Sequence, residues 1–127
     1  MDKKLKEKLM NKYPKIFIQK DWSPHETCMC WGITCSDGWL GLIDKLCSKI
    51  QKHIDKKKLE QVEAIQVKEK FGGLRFYVTN ATEEICKFIY EAETESLVTC
   101  EWCGSKKDVK QTRKGYIQTL CGVCREK

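Results

Sequence analysis

At 127 residues, with a formal charge of +6 and 33 % of its residues charged, the chain fits one ordinary domain able to bury a core without disulfides. Its lysine-rich start has charges where a secretion signal needs an apolar run, and no stretch approaches the roughly 20 apolar residues of a membrane span. These features argue against a membrane protein and place the chain in the cytoplasm, where nine cysteines, an odd number, are expected as metal ligands or buried thiols.

In chain order, residues 2 to 13 predict a short amphipathic helix with Leu5, Leu9 and Met10 on one side, stopped before Pro14 because a residue preceding proline avoids helical angles. Residues 14 to 37 read as irregular. They include a stretch dense in potential ligands, His25, Cys28, Cys30 and Cys35. Cys28 and Cys30 make a poor bite for a metal, so a second metal site there is the weaker reading. Trp22, Trp31 and Trp39 are expected to pack this segment onto the helices or to line a shallow pocket. A second helix is clearer. Ser36 or Asp37 can cap it, and Trp39, Ile43, Leu46, Cys47, Ile50 and Ile54 recur at helical steps, with Cys47 as a small apolar core residue and His53 beside the stripe.

After the run Lys56 to Lys58 the period changes to alternation. Val62 to Phe71 and Leu74 to Thr79 predict a β-hairpin turning on Gly72-Gly73, which would pair Phe71 with Leu74. One face then carries Ile65, Val67, Glu69, Phe71, Leu74, Phe76 and Val78. The other carries Gln66, Lys68, Lys70, Arg75, Tyr77 and Thr79. Thr82 caps a third helix with Ile85, Phe88, Ile89 and Ala92 as its apolar stripe. Cys86 is expected to pack beside that stripe, Glu91, Glu93 and Glu95 to form a solvated tail, and the helix to end near Leu97.

The chain closes on Cys100-x-x-Cys103 and Cys121-x-x-Cys124, separated by 17 residues. Each pair supplies two soft ligands from one tight turn, with Gly104 and Gly122 permitting the bends. The insert suits a hairpin turning at Lys114-Gly115, the plan of a zinc ribbon. Four cysteine sulfurs leave no position for water, so one Zn²⁺ is expected as scaffold and not as catalyst.

Two further features bear on function. On the outward hairpin face, Lys68, Lys70 and Arg75 surround Tyr77, an arrangement that can hold a phosphate while a base stacks. Arg75 is the best anchor, because a planar guanidinium grips phosphate bidentately whereas lysines act as point charges. Glu69 is the odd member of the core face, opposite Phe76 by the expected register. Such a carboxylate needs a partner, an outward bulge or, less plainly, a catalytic task.

The string Gln66-Val67-Lys68-Glu69-Lys70-Phe71-Gly72-Gly73-Leu74-Arg75-Phe76-Tyr77-Val78, with Glu26-Thr27-Cys28-Met29, Cys35-x-Asp37-Gly38-Trp39 and the two CxxC pairs, resembles an uncharacterised family of small bacteriophage and bacterial proteins. The resemblance spans nearly the whole chain. It implies a compact accessory protein acting in a bacterial cytoplasm and carries over no catalytic residue.

The expected fold is α+β, with helices packed on a small antiparallel sheet in residues 1–97 and a zinc ribbon in 98–127. Neither a catalytic triad pattern nor an open metal site nor a phosphate loop of known spacing is present, so binding is favoured over catalysis. The first reading is a binder of nucleic acid or a phosphorylated nucleotide, using Lys68, Lys70, Arg75 and Tyr77 with ribbon residues Lys106, Lys107, Lys110, Arg113 and Lys114. The alternative is a phage inhibitor that docks on a host defence or regulatory protein. A weaker one is a small hydrolase using Glu69 as general base.

Overall fold

The strongest helical period builds the centre of the molecule. A computed structural model describes residues 3–112 and 115–127. In it, helix α2 (Leu40–Lys57) follows a single 3-10 turn at Asp37–Trp39. Its buried stripe contains Leu42, Ile43, Leu46, Cys47, Ile50 and Ile54, with Trp39 fully buried at its start. The expected side-chain cap is absent, and the Ser36 N–H bonds to Glu101 Oε2 at 3.0 Å. At the other end Lys58 adopts left-handed angles (φ 53°), and the Leu59 N–H closes on Ile54 O at 3.0 Å. Lys56 and Lys57 in the last turn complement the helix dipole.

Helix α1 (Lys3–Lys12) packs Leu9 and Met10 inward. Leu5, expected beside them, is 47 % exposed, and Lys6 lies buried instead. A long side chain can cover apolar surface with its stem while its head seeks polar company.

The irregular segment hides a strand. β1 (Ile33–Thr34) runs parallel to β2 (Ala64–Lys70), which pairs antiparallel with β3 (Gly73–Val78), so the α+β fold carries a mixed three-stranded sheet in the order β1-β2-β3. The hairpin turn falls one residue earlier than the glycine pair suggests. Lys70 pairs with Gly73, leaving Phe71 and Gly72 as central residues with φ 52° and 84°. Both positive angles match a type I′ turn. A side chain at Gly72 would also stand 3.1 Å from Ile117 Cγ2 and Thr119 Oγ1, so the tighter position goes to the residue without one.

From Gln66 to Lys70 every cross-strand pair therefore shifts by two, which preserves faces while changing partners. Glu69 lies opposite Leu74, and Val67 opposite Phe76. Phe71 leaves the core face for the exposed tip. A bulge between Ala64 and Gln66 puts Ala64 in the core and leaves Ile65 half-buried.

Helix α3 (Glu83–Ser96) starts where Thr82 Oγ1 accepts the Ile85 N–H at 3.3 Å and then runs along the free edge of β3. There Ser96 Oγ accepts the Leu74 N–H at 2.9 Å and Glu93 Oε2 accepts the Phe76 N–H at 3.1 Å. These side chains cap the donors of an edge strand that would otherwise be open to foreign pairing. Glu93 is thus part of the sheet and not of a solvated tail. Glu95 likewise meets Lys106 at 2.9 Å and Lys45 at 3.5 Å, contacts that hold its carboxyl below the usual range. Cys86, expected to pack, is exposed.

Residues 98–127 add β4 (Lys110–Gln111) antiparallel to β5 (Thr119–Leu120), and the short helix α4 (Gly122–Arg125). The expected turn is only partly described: Gly115 has φ 63°, and Lys114 lies outside the described residues. Hydrogen bonds tie this unit to the body. Trp39 Nε1 donates to Thr99 O at 2.9 Å, the Gly38 N–H to Glu101 O at 2.7 Å, and Gln111 Nε2 to Leu97 O at 2.9 Å, while Thr119 Oγ1 donates to Gly72 O. Among the described residues no helix is long and apolar enough to cross a membrane.

Gly38 marks the closest approach of the two parts. An added Cβ would sit 2.3 Å from Cys100 O and 2.5 Å from Glu101 O, both backbone atoms. Gly38→Ala is expected to lower stability by about 1–3 kcal/mol through overpacking, read as a fall in the chemical denaturation midpoint.

Candidate functional site

The four cysteines are brought together by two local turns. In the first, the Cys100 N–H bonds to Ser105 O at 2.8 Å and the Gly104 N–H to Cys100 O at 2.9 Å, a fold-back completed by Gly104 at φ 83°. In the second, Cys121 precedes α4 and its Sγ accepts the Cys124 N–H at 3.5 Å. Arg125 then staples the ribbon. Its guanidinium bonds Asp108 O at 2.7 Å, Leu120 O at 2.9 Å and Asp108 Oδ2 at 2.9 Å. Gly122 lies beneath this staple, where an added Cβ would stand 2.4 Å from Asp108 Oδ2 and displace that carboxylate.

The sulfurs of Cys100, Cys103, Cys121 and Cys124 all lie within 4.8 Å of one another, and Cys103 Sγ stands 3.6 Å from Cys121 Sγ. That separation is far beyond a bonded pair at about 2.05 Å. It is close to the roughly 3.8 Å edge of a tetrahedron with metal–sulfur bonds of about 2.3 Å. The quartet could therefore hold a metal ion. Three of the thiols are buried and Cys103 is exposed.

The electrostatics fit the same task. Burial opposes ionisation of Cys100, but the N–H groups of Cys121, Cys103 and Trp102 outweigh it and bring the thiol down to about 6. Burial, followed by the crowding of Cys121, Cys100 and Cys103, pushes Cys124 up to about 12. Four thiols this close cannot all lose their protons unaided, and a dication at their centre removes that penalty. All four donors are protein sulfurs. A tetrahedral ion here keeps no position for substrate.

Among the described residues, no other group of three or more His, Cys, Asp or Glu donors converges. Cys28 is exposed, Cys30 donates to Thr27 O at 3.4 Å, and Cys35 is buried, its thiol pushed up to about 12 by desolvation. The segment's order comes from Thr27, which accepts the Met29 N–H at 3.1 Å and donates to Ile65 O at 3.3 Å.

Glu69 finds two partners. Oε2 accepts the Gly72 N–H at 2.7 Å and Oε1 accepts the Tyr116 hydroxyl, a bond that pushes the Tyr116 phenol up to about 12. The carboxylate thus fastens the hairpin turn to the ribbon. Each oxygen has one donor, a structural task that accounts for a carboxylate at this position. Nearby, Glu101 is 5 % exposed, and its Oε1 has no hydrogen-bond partner among the described residues. Burial raises its carboxyl above the usual range, with Glu69 adding to the rise and the Ser36 N–H and Lys6 opposing it.

The basic hairpin residues keep the expected face. Lys68 is directly opposite Arg75, Gln66 opposite Tyr77, and Thr34 of β1 extends the row beside Lys68. Lys68 and Arg75 are half-buried, whereas Lys70 and Tyr77 are exposed. Arg75 Nη1 donates to Leu74 O at 3.1 Å, and Lys70 Nζ lies 5.7 Å from the Phe71 ring centre. Among the described residues, Lys68, Lys70 and Arg75 form no ion pair. The ribbon cations differ. Lys106 is held by Glu95, Lys110 stands 4.0 Å from Asp108, Lys107 is exposed, and Arg113 and Lys114 lie outside the described residues.

No protein-family model, curated protein or solved structure matches the chain. The functional reading consequently rests on the residues themselves.

Proposed function

We propose that the chain is a zinc-stabilised binding protein that holds a phosphate-bearing ligand, single-stranded nucleic acid or a nucleotide, on the outward face of its hairpin. Zinc is the ion that suits the quartet, since four soft thiolates at tetrahedral spacing and C-x-x-C repeats are its ordinary structural site. The ion holds residues 98–127 in shape and takes no part in chemistry.

The observation that carries the binding reading is the row Lys68–Arg75, flanked by Lys70 and Tyr77 and without an acidic partner among the described residues. The Leu74 carbonyl steadies one arm of the Arg75 fork, leaving Nη2 and Nε for a phosphate. Tyr77 offers a ring for a base. The resemblance to small phage proteins agrees with a protein of this size acting in a bacterial cytoplasm.

Three phosphate contacts on a single strand correspond to a salt slope of about 2, hence a loss of about 20-fold in affinity between 50 and 200 mM salt. Fluorescence anisotropy of a labelled oligonucleotide should show that loss, and Arg75→Ala should weaken binding and flatten the slope by about 0.7. Affinity independent of salt and of Arg75 would remove the hairpin face from consideration.

A specific feature supports the second reading, docking on a host protein. Phe71 is 72 % exposed and held at φ 52°, an uncommon conformation for a bulky residue. A nuclease-resistant stoichiometric complex lost in Phe71→Ala would favour it.

A further inference from the structure

A cleft of about 610 Å³ lies between α1 and the segment from Lys20 to Thr34, within the usual size range of small-molecule sites. Lys3, Lys6 and Met10, one above another on α1, form one wall, with Lys20 opposite. Trp31, Ile33 and Thr34 contribute the rest of the lining. Glu7 and Asp21 also border it, so its lining carries one net positive charge.

Trp31 is the unexplained element. It is 69 % exposed, while Trp39 nearby in sequence is fully buried, and its indole N–H bonds to no described residue. The backbone that carries it is nevertheless held. The fully buried Met29 accepts the Gly32 N–H at 2.9 Å, and Gly32 at φ 74° redirects the chain just after the indole. An exposed aromatic ring carried on a held backbone turn, beside lysines, is the arrangement that stacking platforms for bases use. Lys3 forms no ion pair among the described residues, and Lys20 meets only the exposed carboxylate of its neighbour Asp21 at 3.0 Å. Thr34 belongs to the cleft and is also the register partner of Lys68, so the mouth adjoins the basic hairpin face.

We infer that this cleft is a nucleotide site: Trp31 stacks on the base, and Lys3 and Lys20 take the phosphates. The inference rests on the reading of the chain as a phosphate-ligand binder and adds where the base goes. The base could belong to a free nucleotide or to the end of a strand whose backbone continues over Lys68 and Arg75.

Calorimetric titration of the full chain with ADP, adenosine and inorganic pyrophosphate, followed by competition with a short single-stranded oligonucleotide, tests it. ADP should bind more tightly than adenosine or pyrophosphate. Trp31→Ala should weaken ADP at least tenfold, Trp31→Phe should restore most of the affinity, and the double variant Lys3→Ala, Lys20→Ala should erase the advantage of ADP over adenosine. Displacement of ADP by the oligonucleotide would assign the base to a strand end, and ADP binding without displacement to a free nucleotide. Either supports the site. Equal binding of ADP and pyrophosphate, or indifference to Trp31, would overturn it. If Trp31→Ala leaves ADP binding intact while Arg75→Ala abolishes oligonucleotide binding, the cleft fails and the hairpin face stands.

Discussion

Replacing Cys100 by serine should cost the protein its capacity to hold a metal ion and, with it, most of the order in residues 98–127. Closed thiolate sites contribute on the order of 10 kcal/mol to the structure they organise, which exceeds what two-residue strands and a four-residue helix can supply. The small cluster there is Leu120 with Cys100, Cys121 and Cys124, so its apolar content is largely the quartet itself. The loss should spread into the body. When the ribbon melts, Trp39 Nε1, the Gly38 N–H and Gly72 O lose their partners together. Hydrogen exchange should therefore rise at Gly38 and around the hairpin turn as well as beyond residue 98, in the serine variant and in chelator-treated protein alike. Exchange confined to the ribbon would show that the two parts are independent.

Trp39→Ala is the second large effect, expected to lower stability by about 3–5 kcal/mol. The side chain is fully buried where α2 begins, and it combines a large apolar surface with a polar handle bonded to Thr99 O. Against a total stability of roughly 5–15 kcal/mol, that change brings a chain of this size near to unfolding. Trp39→Phe separates the two contributions. It keeps most of the packing and leaves a buried carbonyl unpaired, a penalty of about 1–3 kcal/mol. Urea unfolding of the three proteins gives both numbers, and a Trp39→Phe variant as stable as the parent would show that the bond to Thr99 adds nothing.

How far these features could be read in advance depended on their range along the chain. The α2 stripe was legible because a helix repeats its pattern over five turns, and the cysteine quartet because each pair is local. The hairpin was legible in its alternation but not in its turn. Phe71-Gly72 and Gly72-Gly73 are both tolerable type I′ pairs, and the choice is made by Ile117 and Thr119 pressing on Gly72 from 45 residues or more away. Likewise Glu69 seemed misplaced in a core until Tyr116 arrived to meet it. β1 left no signal, since two residues cannot show a period. Lys6 replaced Leu5 on the inner side of α1, and Glu93 was drawn to β3, because tertiary packing overruled the local pattern. The basic face survived the change of partners, as a shift of two leaves every side chain on its side.

The most direct test of the metal assignment is native mass spectrometry of freshly purified protein, combined with elemental analysis and counting of alkylatable thiols. One zinc per chain is expected, with the four thiols at positions 100, 103, 121 and 124 unreactive until the metal is stripped. A folded chain that carries no metal, or one whose quartet reacts as freely as the exposed Cys28 and Cys86, would contradict it.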